Sequence, residues 1–129
     1  MTADFETSRI ADAVEVTAPD GATVRPLCSL PGTASSAQFA LAPRQVSKAV
    51  SHVSVEEIWF ITTGSGEMWR RQYGREEITV LEPGVCLTIP LGTTFQFRAG
   101  PDGLCAVAVT IPPWPDGDPD EARSEAGRW

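Results

Sequence analysis

Apolar and polar residues alternate with a period of two over most of this chain, in short stretches separated by turn residues. Stretches such as "ATVRPLCSL" and "EEIWFITT" end at "PGTAS" and "GSG". Such alternation is typical of half-buried strands, and Gly tolerates the positive φ that tight turns require. The pattern yields about ten short strands, with "GSG" and "GPDG" as turns between them, and no stretch with a 3.6-residue apolar period. It predicts an all-β sandwich or barrel.

The C-terminal segment "PPWPDGDPDEARSEAGRW" departs from this pattern, since it is rich in Pro and acidic residues. It predicts a largely irregular tail whose acidic part is mobile. Trp114 lies between prolines and is expected to pack over the barrel mouth or against a second subunit, and Trp129 to pack similarly or to be solvated. We therefore divide the chain into an N-terminal extension (1–13), a barrel (14–111) and the tail (112–129).

Composition and charge restrict the partners. The formal net charge is −7, which disfavours binding to a phosphate backbone, so no nucleic-acid partner is expected. The chain has no apolar run near the ~18 residues of a membrane span and no apolar secretory stretch at its start, which predicts a cytoplasmic protein without a membrane partner. Three cysteines, Cys28, Cys86 and Cys105, lack CxxC spacing. Their number and spacing argue against a disulfide framework or a Cys-rich zinc site.

Two segments carry motifs with a family resemblance. In the first, Glu57 is followed by six residues and then Gly64, and His52 lies on the N-terminal side of Glu57. This resembles the second half of the cupin motif G-x5-H-x-H-x3-4-E-x6-G. His52 takes the place of its second histidine, Val50 the place of the first, and Arg44 the place of the leading glycine.

The second segment, "GVCLTIPLGTTFQFRA", resembles the cupin motif G-x5-P-x-G-x2-H-x3-N. Gly84, Pro90 and Gly92 match in spacing, whereas Phe95 takes the place of the histidine and Ala99 the place of the asparagine. The resemblance implies a double-stranded β-helix, or jelly-roll, barrel that commonly pairs as a homodimer. It also implies a site where three imidazoles and one carboxylate hold iron, manganese, nickel or zinc.

The ligand positions are where this chain departs from the motifs. Only His52 and Glu57 remain as donors, and His52 is the only histidine of the chain. Because even catalytic zinc sites use three protein ligands, the sequence favours no metal, and His52 and Glu57 are the ligands if one binds.

A carboxylate beside an imidazole can also form an acid–base pair. The resemblance implies that His52 and Glu57 point into the barrel, where they would catalyse proton transfer such as isomerisation, cyclisation or dehydration. They could equally be a relic that satisfies its own hydrogen bonds. Alternation places the expected pocket walls on the same faces: Val50, Trp59, Ile61, Phe95 and Phe97. These rings could instead fill the core of a small barrel.

Three hypotheses on function stay open at this point. The first is a metal-poor or metal-free cupin that binds a small organic molecule and transfers a proton with His52 and Glu57. The second is a non-catalytic ligand-binding or structural module. The third is a metal-dependent dioxygenase, isomerase or cyclase with an incomplete set of protein ligands. Fold alone does not separate them.

Overall fold

The computed structural model describes residues 3–115, 118 and 120–129. Within these ranges a short 3₁₀ helix, Ile10–Asp12, precedes nine strands. The strands are β1 (Val16–Thr17), β2 (Thr23–Leu30), β3 (Ala34–Leu41), β4 (Val50–His52), β5 (Glu56–Gln72), β6 (Arg75–Leu81), β7 (Cys86–Ile89), β8 (Thr94–Ile111) and β9 (Ala122–Ser124). Their pairings are antiparallel, which confirms the predicted all-β fold. No helix in the described ranges has the length and apolar character needed to cross a membrane.

The two longest strands, β5 and β8, pair along their whole length, from Glu56 opposite Ile111 to Arg71 opposite Thr94. Strand β3 pairs with the second half of β8, and β4 with its first half. Strands β6 and β7 pair with the two halves of β5. The sheet therefore curls around one interior, and the alternate residues of β5 and β8 that face inward meet there.

The predicted turns at "GSG" and "GPDG" are wrong, because β5 and β8 run through both segments. The register between these strands shifts near Ile61 and again between Gly64 and Gly66. Gly64 has a φ of +81°, and a Cβ there would collide with the backbone carbonyl oxygen of Gly103. The glycines thus form bulges that bend two paired strands, rather than turns that end them.

Stacked aromatic rings fill the interior. Trp59 packs against Phe39 at 5.1 Å between ring centroids and meets the edge of Phe97 at 5.0 Å. Met68 is fully buried in this core. Trp69 lies on the other face of β5, where its indole N–H donates to Glu76.

The C-terminal tail follows the barrel more closely than the sequence predicts. Strand β9 pairs with β4, and Glu121 is 5% exposed. The expectation of an irregular segment is therefore wrong for Ala122–Ser124, which form a strand. The hydrogen bonds that hold them come from residues more than sixty positions earlier, which local composition cannot reveal.

Gln96 fastens the end of the tail. Its Nε2 donates to the carbonyl oxygens of Ser47 and Trp129, and its Oε1 accepts from the backbone N–H groups of Arg128 and Trp129. The guanidinium of Arg98 lies 4.1 Å above the Trp129 ring. Trp129 is therefore packed against the barrel, one of the two alternatives that the sequence left open.

Candidate functional site

His52 ends β4 and Glu57 is the second residue of β5, so the bend at 53–55 turns both side chains into the same interior. His52 Nε2 lies 3.8 Å from Glu57 Oε2, and the two side chains are 10% and 1% exposed. The structure thus brings together the two residues that the sequence nominated. Glu56, the neighbour of Glu57, is exposed, as alternation predicts.

The carboxyl group of Glu57 is almost completely shielded from water. The pKa of Glu57 is raised to about 8, mainly by burial and to a smaller extent by the nearby carboxyls of Asp20 and Glu121. One hydrogen bond, donated by the Trp59 indole N–H at 3.2 Å, lowers it in part. Because its pKa lies above neutral pH, Glu57 carries a proton at pH 7 and can act as an acid.

The imidazole of His52 has the opposite tendency. Burial lowers the pKa of His52, although the charge and contact of Glu121 raise it in part. The ring is therefore neutral at pH 7 and keeps a lone pair for a proton. It stacks on Phe95 with 5.7 Å between ring centroids. A neutral base thus lies beside a protonated acid.

Glu121, from the tail, completes the surroundings of His52. Its Oε1 lies 3.4 Å from His52 Nδ1. Burial raises the pKa of Glu121, but hydrogen bonds from the Ser54 side chain and backbone lower it more, so its net pKa is below the usual range. The Val55 backbone N–H, and the positive charge of His52 when that ring is protonated, also lower it. Sequence analysis missed Glu121, because an acid in an acidic, proline-rich tail reads as a solvated residue.

Asp20 is a second acid that sequence analysis missed. It is 6% exposed, accepts the backbone N–H of Ala22 at 2.9 Å and lines the same interior as His52. Burial raises the pKa of Asp20 to about 6, partly offset by backbone hydrogen bonds from Ala22 and its own N–H. Its place in the turn sequence "APDG" offered only a turn-forming explanation.

The space beside His52 is small and mostly apolar. Its volume is about 10 Å³, close to the volume that one water requires. The walls are Ala18, Pro19, Asp20, Phe39, Val50, His52, Glu57, Trp59, Phe95, Trp114 and Ala122. Of the expected walls, Val50, Trp59 and Phe95 line this space, whereas Ile61 and Phe97 belong to the buried core beyond it.

Trp114 lines this space, which agrees with one of the two alternatives that the sequence left open for a ring between prolines. It meets the edge of Phe39 at 6.5 Å, and its backbone N–H donates to Ser35 Oγ.

The residues at the metal-ligand positions do not fit a metal. Val50 and Phe95 lie opposite each other in the β4–β8 pairing and offer no donor atom. Within the described part of the chain, no group of three or more His, Cys, Asp or Glu residues is arranged to hold an ion.

Comparison with known proteins gives matches of structure alone. No protein-family profile matches this chain, and no curated protein sequence matches it. KdgF from Halomonas sp. superimposes with a TM-score of 0.72 at 13% identity, over 88% of this chain and 98% of KdgF. Streptomyces Pac13, described as a nucleoside dehydratase and solved with uridine, gives 0.73 at 10% identity, over 95% and 92%.

Oxalate decarboxylase of B. subtilis gives a TM-score of 0.75 at 16% identity, over 97% of this chain and 34% of the decarboxylase chain. This chain therefore spans about a third of that protein but most of KdgF and Pac13. At these identities the likeness establishes fold and not activity. The neighbours are cupin-type barrels, and this chain has the fold of a small cupin domain.

Proposed function

We propose that this chain binds a small organic molecule beside His52 and Glu57 and transfers a proton to or from it without a metal. The carrying observation is the 3.8 Å separation between His52 Nε2 and Glu57 Oε2 within aromatic walls. The solved structures of the same fold support small-molecule binding, since Pac13 is solved with uridine.

The protonation states assign the two residues to complementary steps. Neutral His52 accepts a proton from the substrate, and protonated Glu57 donates one to a substrate oxygen. Environments that separate the pKa values of neighbouring groups are the usual basis of acid and base assignments. Isomerisation, cyclisation and dehydration can each use one group of each kind.

The walls also restrict the substrate class. Asp20 and Glu57 line the space, and no Lys or Arg is among the described residues that line it. An anionic group on the substrate would therefore find no countercharge and would repel Asp20. We infer an uncharged or cationic substrate with a flat, apolar part.

The interior must widen before such a molecule can enter, because its volume is about 10 Å³. Trp114 is the large side chain that covers it and is half-buried. Outward rotation of this ring opens the space without breaking a strand pairing. Trp114→Ala is expected to strengthen binding of a bulky probe.

The test uses uridine as an uncharged probe and uridine 5′-monophosphate as its anionic counterpart. We expect uridine, and not the monophosphate, to shift the His52 ring and Trp59 indole resonances of the wild type or of Trp114→Ala. Deuterium incorporation from D₂O into carbon positions of the bound probe measures proton transfer. His52→Gln and Glu57→Gln should abolish it, whereas Glu56→Gln, an exposed neighbour, should not.

Each other result has a definite meaning. If the probe binds, shows no deuterium exchange, and binds equally well to His52→Gln and Glu57→Gln, the result supports the non-catalytic module. Failure of uridine and of a wider set of uncharged aromatic probes to bind to Trp114→Ala contradicts the proposal. Stoichiometric metal that depends on His52 supports the metal-dependent alternative.

We further propose that two copies associate through an exposed apolar face of the sheet. This outer face consists of Ile58, Phe60, Val109 and Ile111, each more than a third exposed. Ile58 and Phe60 lie two residues apart on β5, and Val109 and Ile111 lie two residues apart on β8. Because Ile58 lies opposite Val109 in the pairing of these strands, the four side chains are neighbours on one face. A contiguous apolar face of this kind marks an interaction surface.

The cytoplasmic location stays a prediction from the sequence.

A further inference from the structure

Glu121 is held in place by the bend that separates His52 from Glu57. Its Oε1 accepts the backbone N–H groups of Ser54 at 3.0 Å and Val55 at 3.2 Å, and its Oε2 accepts the Ser54 hydroxyl at 2.7 Å. Three donors to one buried carboxylate restrict both its rotation and its position. The atom that faces His52 is therefore fixed in place.

The tail that carries Glu121 is fastened on its C-terminal side. Ala122 lies opposite His52 in the pairing of β9 with β4, and Val53 donates its N–H to the Glu121 carbonyl oxygen. Ser51 Oγ donates to Glu125 at 2.8 Å. The carboxylate thus reaches His52 from a paired strand and not from a free end.

The two carboxyl groups that flank the imidazole differ in their contacts. Glu121 accepts three hydrogen bonds and faces Nδ1 at 3.4 Å, whereas Glu57 Oε2 accepts the Trp59 indole N–H and faces Nε2 at the longer distance of 3.8 Å. A carboxylate favours a proton on the nitrogen it faces, and the nearer carboxylate has the greater effect. The contacts of Glu121 therefore favour a proton on Nδ1.

Nδ1 is buried and makes no hydrogen bond of good geometry within the described chain. Its 3.4 Å contact with Glu121 Oε1 is longer than an ordinary N–H···O bond. A buried N–H without an acceptor loses the hydrogen bond that it makes to water in the unfolded chain. The contact with Glu121 Oε1 offsets part of that cost when Nδ1 carries the proton. No Lys or Arg is among the described residues lining the adjoining space to oppose that arrangement.

We propose that Glu121 is a positioning residue that holds the proton of neutral His52 on Nδ1 and leaves Nε2 as the base facing Glu57 and the interior. The inference rests on the proposed function, because it names Nε2 as the atom that accepts the proton in the proposed proton transfer. It assigns to the C-terminal tail a part in the site. Without Glu121, the proton would move to Nε2, the nitrogen on which a free histidine side chain prefers to carry it, and the base would face away from the interior.

The test is nuclear magnetic resonance of the His52 ring. Because the chain has one histidine, every imidazole signal belongs to this residue. Two-bond couplings between ring protons and ¹⁵N-labelled nitrogens report which nitrogen carries the proton. At neutral pH we expect the Nδ1–H form in the wild type. Glu121→Ala should shift the ring to the Nε2–H form.

Two further variants separate positioning from mere structural support. Glu121→Gln keeps an oxygen for the Ser54 and Val55 N–H groups, so it should keep the Nδ1–H form while the loss of charge lowers the pKa of His52. Glu125→Gln alters another tail carboxylate and should leave both the tautomer and the pKa unchanged. A purely structural residue would affect neither quantity in Glu121→Gln.

An Nε2–H form in the wild type overturns the proposal and needs no variant to observe. An unchanged tautomer in folded Glu121→Ala also overturns it. The tautomer measurement needs no ligand. If it shows the expected tautomers while no probe binds, the positioning role of Glu121 stands and the proposed function is rejected. If deuterium exchange into a probe occurs with an Nε2–H ring, the function stands and the positioning fails.

Discussion

One carboxylate oxygen of Glu121 accepts the backbone N–H groups of both Ser54 and Val55. Val55 is 1% exposed, and this bend joins the strand that ends at His52 to the strand that begins at Glu56. A residue from the tail therefore satisfies two donors that no strand pairing reaches.

Glu121→Ala should lower the free energy of unfolding by about 2–3 kcal/mol, because it leaves the buried Val55 N–H and two partly buried donors of Ser54 without an acceptor. Urea denaturation followed by tryptophan fluorescence measures this loss. Glu125→Ala removes a single hydrogen bond to Ser51 and should cost less than about 1 kcal/mol. Equal losses in the two variants would show that the carboxylate of Glu121 does not stabilise the bend.

Stability should depend on pH through Glu57. The folded carboxyl has a pKa of about 8 against an ordinary value of 4.5, so the folded chain binds more protons than the unfolded chain between these values. The free energy of unfolding therefore falls as pH rises through this window. Below pH 6.5 the lowered pKa of His52 acts in the opposite direction, since the unfolded chain then binds the extra proton.

Between pH 6.5 and 8 the change in stability therefore comes mainly from Glu57, because Asp20 has also lost most of its proton there. Over one and a half units, at about 1.4 kcal/mol per unit, the wild type should lose about 2 kcal/mol. Glu57→Gln should show a nearly flat profile there, and exposed Glu56→Gln should retain the wild-type slope. A flat wild-type profile would mean that Glu57 is already ionised at neutral pH.

Gly64 allows β5 and β8 to approach at the bulge. Gly64→Ala adds a Cβ against the Gly103 carbonyl oxygen at a positive φ, so it should cost at least about 4 kcal/mol or prevent folding. Gly84→Ala is the matched control, because its φ of +97° has open space around it. It should cost about 1–2 kcal/mol, as measured by thermal unfolding. Similar losses would show that the close approach is not needed.

Association through the outer face should be sensitive to charge. Phe60 is 49% exposed at that face, and Phe60→Asp should convert a dimer to a monomer because a carboxylate cannot be desolvated there. Light scattering after size-exclusion chromatography measures the mass. Val80→Asp alters an apolar side chain of β6 that is 63% exposed and should not change it. A wild-type monomer at high concentration would reject the proposed homodimer.

Metal addition should leave the melting temperature unchanged. Iron, manganese, nickel and zinc would find one imidazole and one carboxyl at the ligand positions, because Val50 and Phe95 offer no donor atom. A ligand raises the melting temperature only when its concentration exceeds its Kd. Thermal unfolding with each ion, together with elemental analysis of the purified protein, checks this. Near-stoichiometric metal that disappears in His52→Ala would contradict it.

The alternating pattern was enough to predict an all-β sandwich or barrel, because period-two alternation and turn residues are local properties of a chain. The spacing of Gly64, Gly84, Pro90 and Gly92 carried the resemblance that implied the jelly-roll barrel. The cupin resemblance implied that His52 and Glu57 point into the same interior, and the structure brings their side chains within 3.8 Å. The alternating pattern failed at the bulges, where a glycine with positive φ serves a turn and a bent strand equally well.

Tertiary structure alone decided the surroundings of that pair. Asp20 and Glu121 lie 32 and 69 positions from His52 along the chain, and only the folded sheet brings their carboxyl groups to its interior. Whether Glu57 keeps a proton and His52 stays neutral depends on burial and on those carboxyls. Desolvation and charge proximity are properties of three-dimensional packing, and no local sequence pattern encodes them.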